Sequence, residues 1–121
     1  MKPNNKTTGV RLRIVLQPDI AIGPGKADLL EGIKKTGSIA AAGRLMHMSY
    51  KRAWTLVESM NGCFKSPLVQ TNRGGHKRGG AQLTQTGARV LTIYRGMELA
   101  SKKAIAKDMR SLRRLLADMS Q

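Results

Sequence analysis

Acidic and aromatic residues are both scarce in this chain. Seven Asp and Glu stand against 22 Lys and Arg, leaving a net charge of +15. That imbalance favours a polyanionic partner, because each phosphate neutralised by a cation releases a condensed counterion; a ribosomal or membrane-surface protein is the plainer alternative. Phe, Trp and Tyr make up 3% of the residues, too few for the stacking platforms that read single strands and RNA. Among nucleic acids this points to duplex DNA. The single cysteine, Cys63, excludes an intramolecular disulfide and fits a reducing compartment. No run approaches the roughly 20 apolar residues of a membrane span. The N-terminal MKPNNKTTG leads into an alternating segment and not an apolar signal core. A cytoplasmic protein without a membrane partner is expected.

Residues 1–9 read as a disordered tail. From Val10 to Leu16 the chain alternates, with Val10, Leu12, Ile14 and Leu16 on one side, the period of a half-buried strand. A loop containing Pro18 and Gly23-Pro24-Gly25 follows. The first helix is expected to begin near Lys26 and to bury Leu29, Leu30 and Ile33. Lys34 and Lys35 sit at its cation-favouring end, with Gly37 as a left-handed cap. Ser38 is placed to cap a second helix, about Ser38 to Met46, built around Ile39, Ala42 and Leu45 and kept thin by Ala40, Ala41 and Gly43. His47-Met48 makes a turn, Met48 plugging the corner. Ser49 then caps a third helix whose buried face is Ala53, Leu56, Val57 and Met60, ended by Asn61-Gly62. Trp54 is expected to pack across this helix, against the first strand or the hairpin that follows.

Downstream, Leu68 to Arg73 and Ala81 to Thr84 read as paired strands around a GGHKRGG loop. Thr84 can cap a last helix running from Gln85 almost to the end, about 50 Å if unbroken, with Gly87 and Gly96 weakening it locally. Its apolar positions include Val90, Ile93, Tyr94, Met97, Ala100 and Ala104. After a change of phase come Ile105, Met109, Leu112, Leu116 and Met119, stepping by four and three. That second set spans only about two heptads, so it is assigned to contact between two copies of the chain. The expected fold is mainly α with a small β component: a winged helix-turn-helix over residues 10–95, and a dimerisation helix over 96–121.

A major groove admits one α-helix, whose N-terminal half reaches the base edges. Tyr50, Lys51, Arg52 and Thr55 occupy those places on the third helix. Lys and Arg donate to guanine O6 and N7, and Thr touches a thymine methyl. Ser49, Ser38 and Arg44 join them as candidate DNA contacts. Arg73, His76, Lys77 and Arg78 belong to the hairpin tip, which would meet phosphates or the minor groove. A solvated polar helix face and a merely flexible hairpin are the competing explanation; the upstream turn and the charge favour DNA. Lys102, Lys103, Lys107, Arg110, Arg113 and Arg114 read as a solvated face able to add phosphate contacts.

GGHKRGG is not a phosphate-cradling loop, since Gly80-Ala81 stand where Lys and Ser or Thr are required. His47, His76 and Cys63 lack the paired spacing of a metal site, and the dispersed acids offer no catalytic constellation. No metal, cofactor or enzymatic activity is expected of this chain.

The segment GSIAAAGRLMHMSYKRAW, followed by LVQTNRGGHKRGGAQLTQTG, resembles the DNA-binding domain of the ModE family, bacterial molybdate-responsive transcriptional regulators. SYKRAW, the glycine-rich wing and AQLT are its specific parts. GSIAAAGRLMHMS is also similar, more distantly, to the helix-turn-helix of LysR-type regulators. The resemblance covers about residues 10–95. It implies a winged helix, a homodimer and a two-fold-related DNA site, with Ser49, Tyr50, Lys51 and Arg52 opening the recognition helix and Lys77 and Arg78 tipping the wing. Full-length members carry a C-terminal module of paired small β-barrels that binds molybdate. This sequence ends instead in a basic helix, so the expectation is a stand-alone member that regulates without the ligand or pairs with a separate oxyanion-binding protein.

The function expected is that of a sequence-specific transcriptional regulator bound as a dimer to half-sites about 34 Å apart. The alternatives are an architectural DNA coater with little sequence preference, and a winged-helix interaction module whose basic face meets an acidic protein.

Overall fold

A reversal at Pro18-Asp19 folds β1 (Ile14–Gln17) back onto β2 (Ile20–Ile22) as an antiparallel pair. The computed structural model describes residues 9–72 and 80–117. The expected loop around Pro18 is therefore a hairpin, too short to leave an alternating signature. Val10, Leu12 and Ile14 are half-buried as the alternation requires, but Leu16 is exposed. The register shifts between Val15 and Gln17, and one extra residue moves everything beyond it to the other face.

α1 (Pro24–Thr36) starts two residues before the expected position, because Pro24 needs no amide partner in the first turn. It buries Leu29, Leu30 and Ile33 and ends at Gly37, whose φ of 73° lets its N–H reach the Ile33 carbonyl at 2.8 Å. α2 (Ile39–Leu45) packs on α1, and α3 (Tyr50–Cys63) packs on α2. A Cβ on Gly32 would sit 3.0 Å from that of Ala42, so these backbones touch with almost nothing between them. Leu45, expected in the core, is 62% exposed. At about 100° per residue it falls off the stripe shared by Ile39, Ala42 and Gly43.

α3 does not end at Asn61-Gly62 but runs to Cys63. Asn61 instead clips the next element: its Oδ1 accepts from the Leu68 and Val69 amides at 2.8 and 3.0 Å, and its Nδ2 donates to the Val69 carbonyl at 3.1 Å. That element is a second antiparallel hairpin, β3 (Val69–Asn72) with β4 (Gly80–Leu83), paired in regular register from Val69↔Leu83 to Asn72↔Gly80. The Ala81 amide also donates to the Gly37 carbonyl at 2.9 Å, tying β4 to the corner between α1 and α2.

α4 (Gln85–Arg114) is one continuous helix of 30 residues, about 45 Å long. Thr84 caps it, accepting from the Gly87 amide at 2.9 Å while donating to the Pro67 carbonyl at 2.7 Å. Gly87 is not a weak point: a Cβ there would collide with the Leu68 carbonyl, so the residue marks a close crossing of helix and wing root. The helix buries Leu91 and Tyr94, whereas Ile93 is half exposed on the outer side. Tyr94 donates its phenol proton to the Leu12 carbonyl at 2.6 Å and so fastens the N-terminal segment to α4. Arg95 reaches Asp28, Glu31 and Glu98 at 2.8, 2.9 and 3.0 Å, joining α1 to α4. The expectations for residues 1–8, for Arg73, His76, Lys77 and Arg78, and for Met119 lie outside the described residues. No helix among the described residues is long and apolar enough to cross a membrane.

Candidate nucleic-acid interface

The turn between α2 and α3 aims the third helix. The Met48 amide donates to the Gly43 carbonyl at 3.0 Å and the His47 amide to the Arg44 carbonyl at 3.1 Å. This paired closure requires a left-handed residue just past the helix end, and His47 supplies it with φ 58°, the only positive φ outside glycine among the described residues. A Cβ on Gly43 would lie 3.1 Å from the Ala53 Cβ. The small residues that thin α2 are thus what brings α3 close enough to cross it.

Ser49 then starts α3, its Oγ accepting from the Arg52 amide at 3.0 Å. Tyr50, Lys51, Arg52 and Thr55 are all exposed within the first turn and a half. Among the described residues the charged ends of Lys51 and Arg52 have no hydrogen-bond or ion-pair partner, so both are free to meet phosphates or base edges. Thr55 is more constrained. Its Oγ1 donates to the Lys51 carbonyl at 2.9 Å, leaving a methyl group and oxygen lone pairs for any ligand. Tyr50 lies edge-on to Trp54, with ring centroids 6.2 Å apart at 82°. Trp54 is half-buried against the core and Tyr50 stays outside it.

The other candidates are more dispersed. Ser38 is half-buried and caps α2, its Oγ accepting from the Ala41 amide at 3.0 Å. Arg44 is exposed in the last turn of α2. The wing stem carries residues that the sequence reading passed over. Gln70 and Asn72 alternate on the outward face of β3, and Gln82 stands opposite Gln70 on β4, all three exposed, while Val69 and Ala81 turn inward. The alternation in LVQTNR is their only trace in the sequence.

Electrostatics follows from the Arg95 cluster. Burial opposes its charge, but the hydrogen bonds it donates to Asp28, Glu31 and Glu98 outweigh that and hold the guanidinium pKa above its ordinary value. Three of the seven acids are therefore gathered around one cation between α1 and α4. Glu58 is the sole acid of α3, seven residues and two turns beyond Lys51, too far along the helix to pair with it. Among the described residues no group of three His, Cys, Asp or Glu is placed to hold a metal.

On α4, Ile105 and Met109 are half-buried, lining a groove of about 220 Å³ with Gly9, Val10, Lys102, Ala106, Arg110 and Arg113. Leu112 and Leu116 are 62% and 72% exposed, as is the overlooked Leu115 at 81%.

Comparison with known proteins bears on this arrangement. The chain is 33% identical to the molybdenum transport protein ModE of Azotobacter vinelandii, over 89% of this chain and 45% of that protein. It is 37% identical to the transcriptional regulator ModE of Haemophilus influenzae, over 82% of this chain and 39% of that one. This chain is homologous to the N-terminal part of the ModE proteins. The DNA-binding transcriptional dual regulator ModE of Escherichia coli strain K12 is 33% identical over 78% of the chain and 36% of its own length. The chain thus spans less than half the length of these ModE relatives. No family model matches it. Among solved structures, a CbnR DBD–DNA complex aligns with a TM-score of 0.55 and 19% identity, over 72% of this chain and 95% of that one. That domain belongs to a LysR-type regulator, and the likeness supports the winged-helix fold drawn from the elements above.

Proposed function

We propose that these residues are the DNA-binding part of a cytoplasmic, non-enzymatic, ModE-like transcriptional regulator that binds two-fold-related duplex DNA as a homodimer. The observation that carries the reading is the opening of α3. Lys51 and Arg52, without a partner among the described residues, project from a capped helix whose other face, Ala53, Val57 and Met60, is locked into the core. A rigid helix with free cations at its N-terminal end suits the major groove, where such residues reach base edges. The DNA-binding ModE relative and the DNA-bound structural neighbour support the same reading. Leu112, exposed in the last turn of α4, and Leu115 and Leu116, exposed just past its end, are the proposed contact between two copies.

Selection of bound duplexes from a random library, at roughly physiological salt where nonspecific affinity is weak, tests the proposal. A two-fold-symmetric consensus is expected. Lys51→Ala or Arg52→Ala should lower affinity and, where a base contact is lost, relax one position by about 1–3 kcal/mol. Binding without enrichment that collapses as salt rises would instead show an architectural coater. We assign no effector to this part of the protein: molybdate added to the purified chain should leave its DNA affinity unchanged, any oxyanion signal arriving through another protein or segment.

A further inference from the structure

The opening of α3 holds an aromatic pair beside its cations. Tyr50, the first residue of the helix, is 56% exposed, although a large ring gains by burial. Trp54, four residues on and so on the same side of the helix, is half-buried and packed against the core. The two rings meet edge to face, 6.2 Å between centroids at 82°, a favourable aromatic geometry. Trp54 is the fixed half of the pair, and its ring limits where the Tyr50 ring can swing. Among the described residues the Tyr50 hydroxyl has no hydrogen-bond partner.

Position around the helix separates this pair from its neighbours. At about 100° per residue, Lys51 and Thr55 lie opposite the buried Ala53, Val57 and Met60. Tyr50 and Trp54 lie along one flank between those two faces, and Arg52 lies along the other. A helix about 10–12 Å across fills a major groove about 12 Å wide. Its outer face then meets base edges, and its flanks meet the sugar–phosphate walls. Tyr is among the side chains that hydrogen-bond phosphate oxygens, contacts that fix orientation without reading sequence. We propose that Trp54 is a positioning residue, holding Tyr50 so that its phenol donates to a backbone phosphate on the wall of the groove away from Arg52. The reading rests on the DNA-binding function proposed above and moves Tyr50 from base reader to phosphate anchor.

A phenol suits this place for a physical reason. Held by Trp54, it meets the phosphate with little rotamer freedom left to lose, whereas a lysine there would surrender several flexible bonds. An un-ionised phenol also adds its hydrogen bond without releasing the counterion that a cation displaces. Its loss should therefore show in affinity and not in salt dependence.

The experiment titrates the chain into its selected duplex and into a shuffled one at low salt, read by anisotropy of labelled DNA. Tyr50→Phe keeps the ring and removes only the hydroxyl. It is expected to weaken both duplexes alike, on the order of three- to tenfold, the range of one modest hydrogen bond. The slope of log affinity against log salt should stay as in the parent. Trp54→Leu should lose as much as Tyr50→Phe, and the double variant no more than either, because the two residues act as one unit. Trp54→Phe, which keeps an aromatic ring beside Tyr50, should retain most of the affinity. Urea unfolding checks that each variant is folded under the binding conditions, and Trp54→Met stands in if Trp54→Leu is not. Additive losses would overturn the positioning role, as would equal weakening by Trp54→Phe and Trp54→Leu. A Tyr50→Phe variant that binds like the parent would overturn the phosphate contact. So would a loss confined to the selected duplex with one base position relaxed, which would make Tyr50 a base reader and leave the regulator standing. Failure of the parent chain to select any sequence would refute the DNA-binding regulator itself.

Discussion

Replacing Gly87 by alanine adds one methyl group where α4 crosses the root of the wing. The new Cβ would run into the Leu68 carbonyl and lie 2.9 Å from its carbon atom. Leu68 cannot easily yield: it is fully buried, and its carbonyl accepts from the Thr84 amide at 2.9 Å and from Thr84 Oγ1 at 3.3 Å. Alanine gains about 1 kcal/mol of helix propensity over glycine. Against that stand about 1–3 kcal/mol for overpacking and about 1 kcal/mol for each hydrogen bond that the shift breaks. The net expectation is a loss of roughly 2–3 kcal/mol, on the order of 10 °C in Tm for a chain of this size. Gly96, nine residues along the same helix, has nothing within 4 Å of a built Cβ. Gly96→Ala should keep the propensity gain of up to about 1 kcal/mol and raise Tm by a few degrees. Thermal and urea unfolding of both variants, at one protein concentration, gives the answer. Equal or greater stability in Gly87→Ala would refute the close crossing.

Further expectations follow from single contacts. His47→Gly removes the left-handed penalty at φ 58° at the expense of a floppier unfolded chain, and should stabilise by up to about 1 kcal/mol; a less stable variant in urea would show that the His47 side chain supports the turn. Asn61→Ala strands the Leu68 and Val69 amides of two buried residues and should destabilise by about 2–3 kcal/mol, with faster hydrogen exchange concentrated at those two amides. Tyr94 is held protonated first by burial and then by the nearby Glu98 carboxylate, its pKa raised from 10.0 to about 12. A raised folded pKa gives stability that is complete below pH 10 and lost between pH 10 and 12. Tyr94→Phe should therefore lose less stability than the parent across that window, read by urea unfolding beside phenolate absorbance. Thr55→Val keeps the methyl group that the bond to Lys51 leaves available, so it should preserve the selected DNA consensus better than Thr55→Ser; the reverse order would mean that the hydroxyl reads a base.

Much of this fold was legible because its helix boundaries are written in local chemistry. Gly37, Ser38, Ser49 and Thr84 all cap where their residue types suggest, and the apolar spacing of Ala53, Val57 and Met60 places the core face of α3. The candidate recognition residues were legible for the same reason, since a helix with one buried face has only one face left for Lys51, Arg52 and Thr55. Errors arose where a short element or a small phase difference decided the outcome. β2 is only three residues long, Leu16 sits at a register shift, and Leu45 lies at the edge of a stripe too short to define its own centre. Asn61-Gly62 looked like a helix end because both residue types favour one, until long-range partners gave the Asn61 side chain a different task.

The sequence by itself determined the charge, the order of helices and strands, the caps that bound them and the face that each amphipathic helix hides, because these depend on residues only a few positions apart. Only the tertiary structure decided how distant segments meet: Tyr94 with Leu12, Arg95 with Asp28 and Glu31, Gly87 with the Leu68 carbonyl, and the amide face of the wing set beside the α1–α2 corner. Those pairings arise from the close packing of whole elements and the need of buried polar groups for partners, and no periodicity along the chain encodes them.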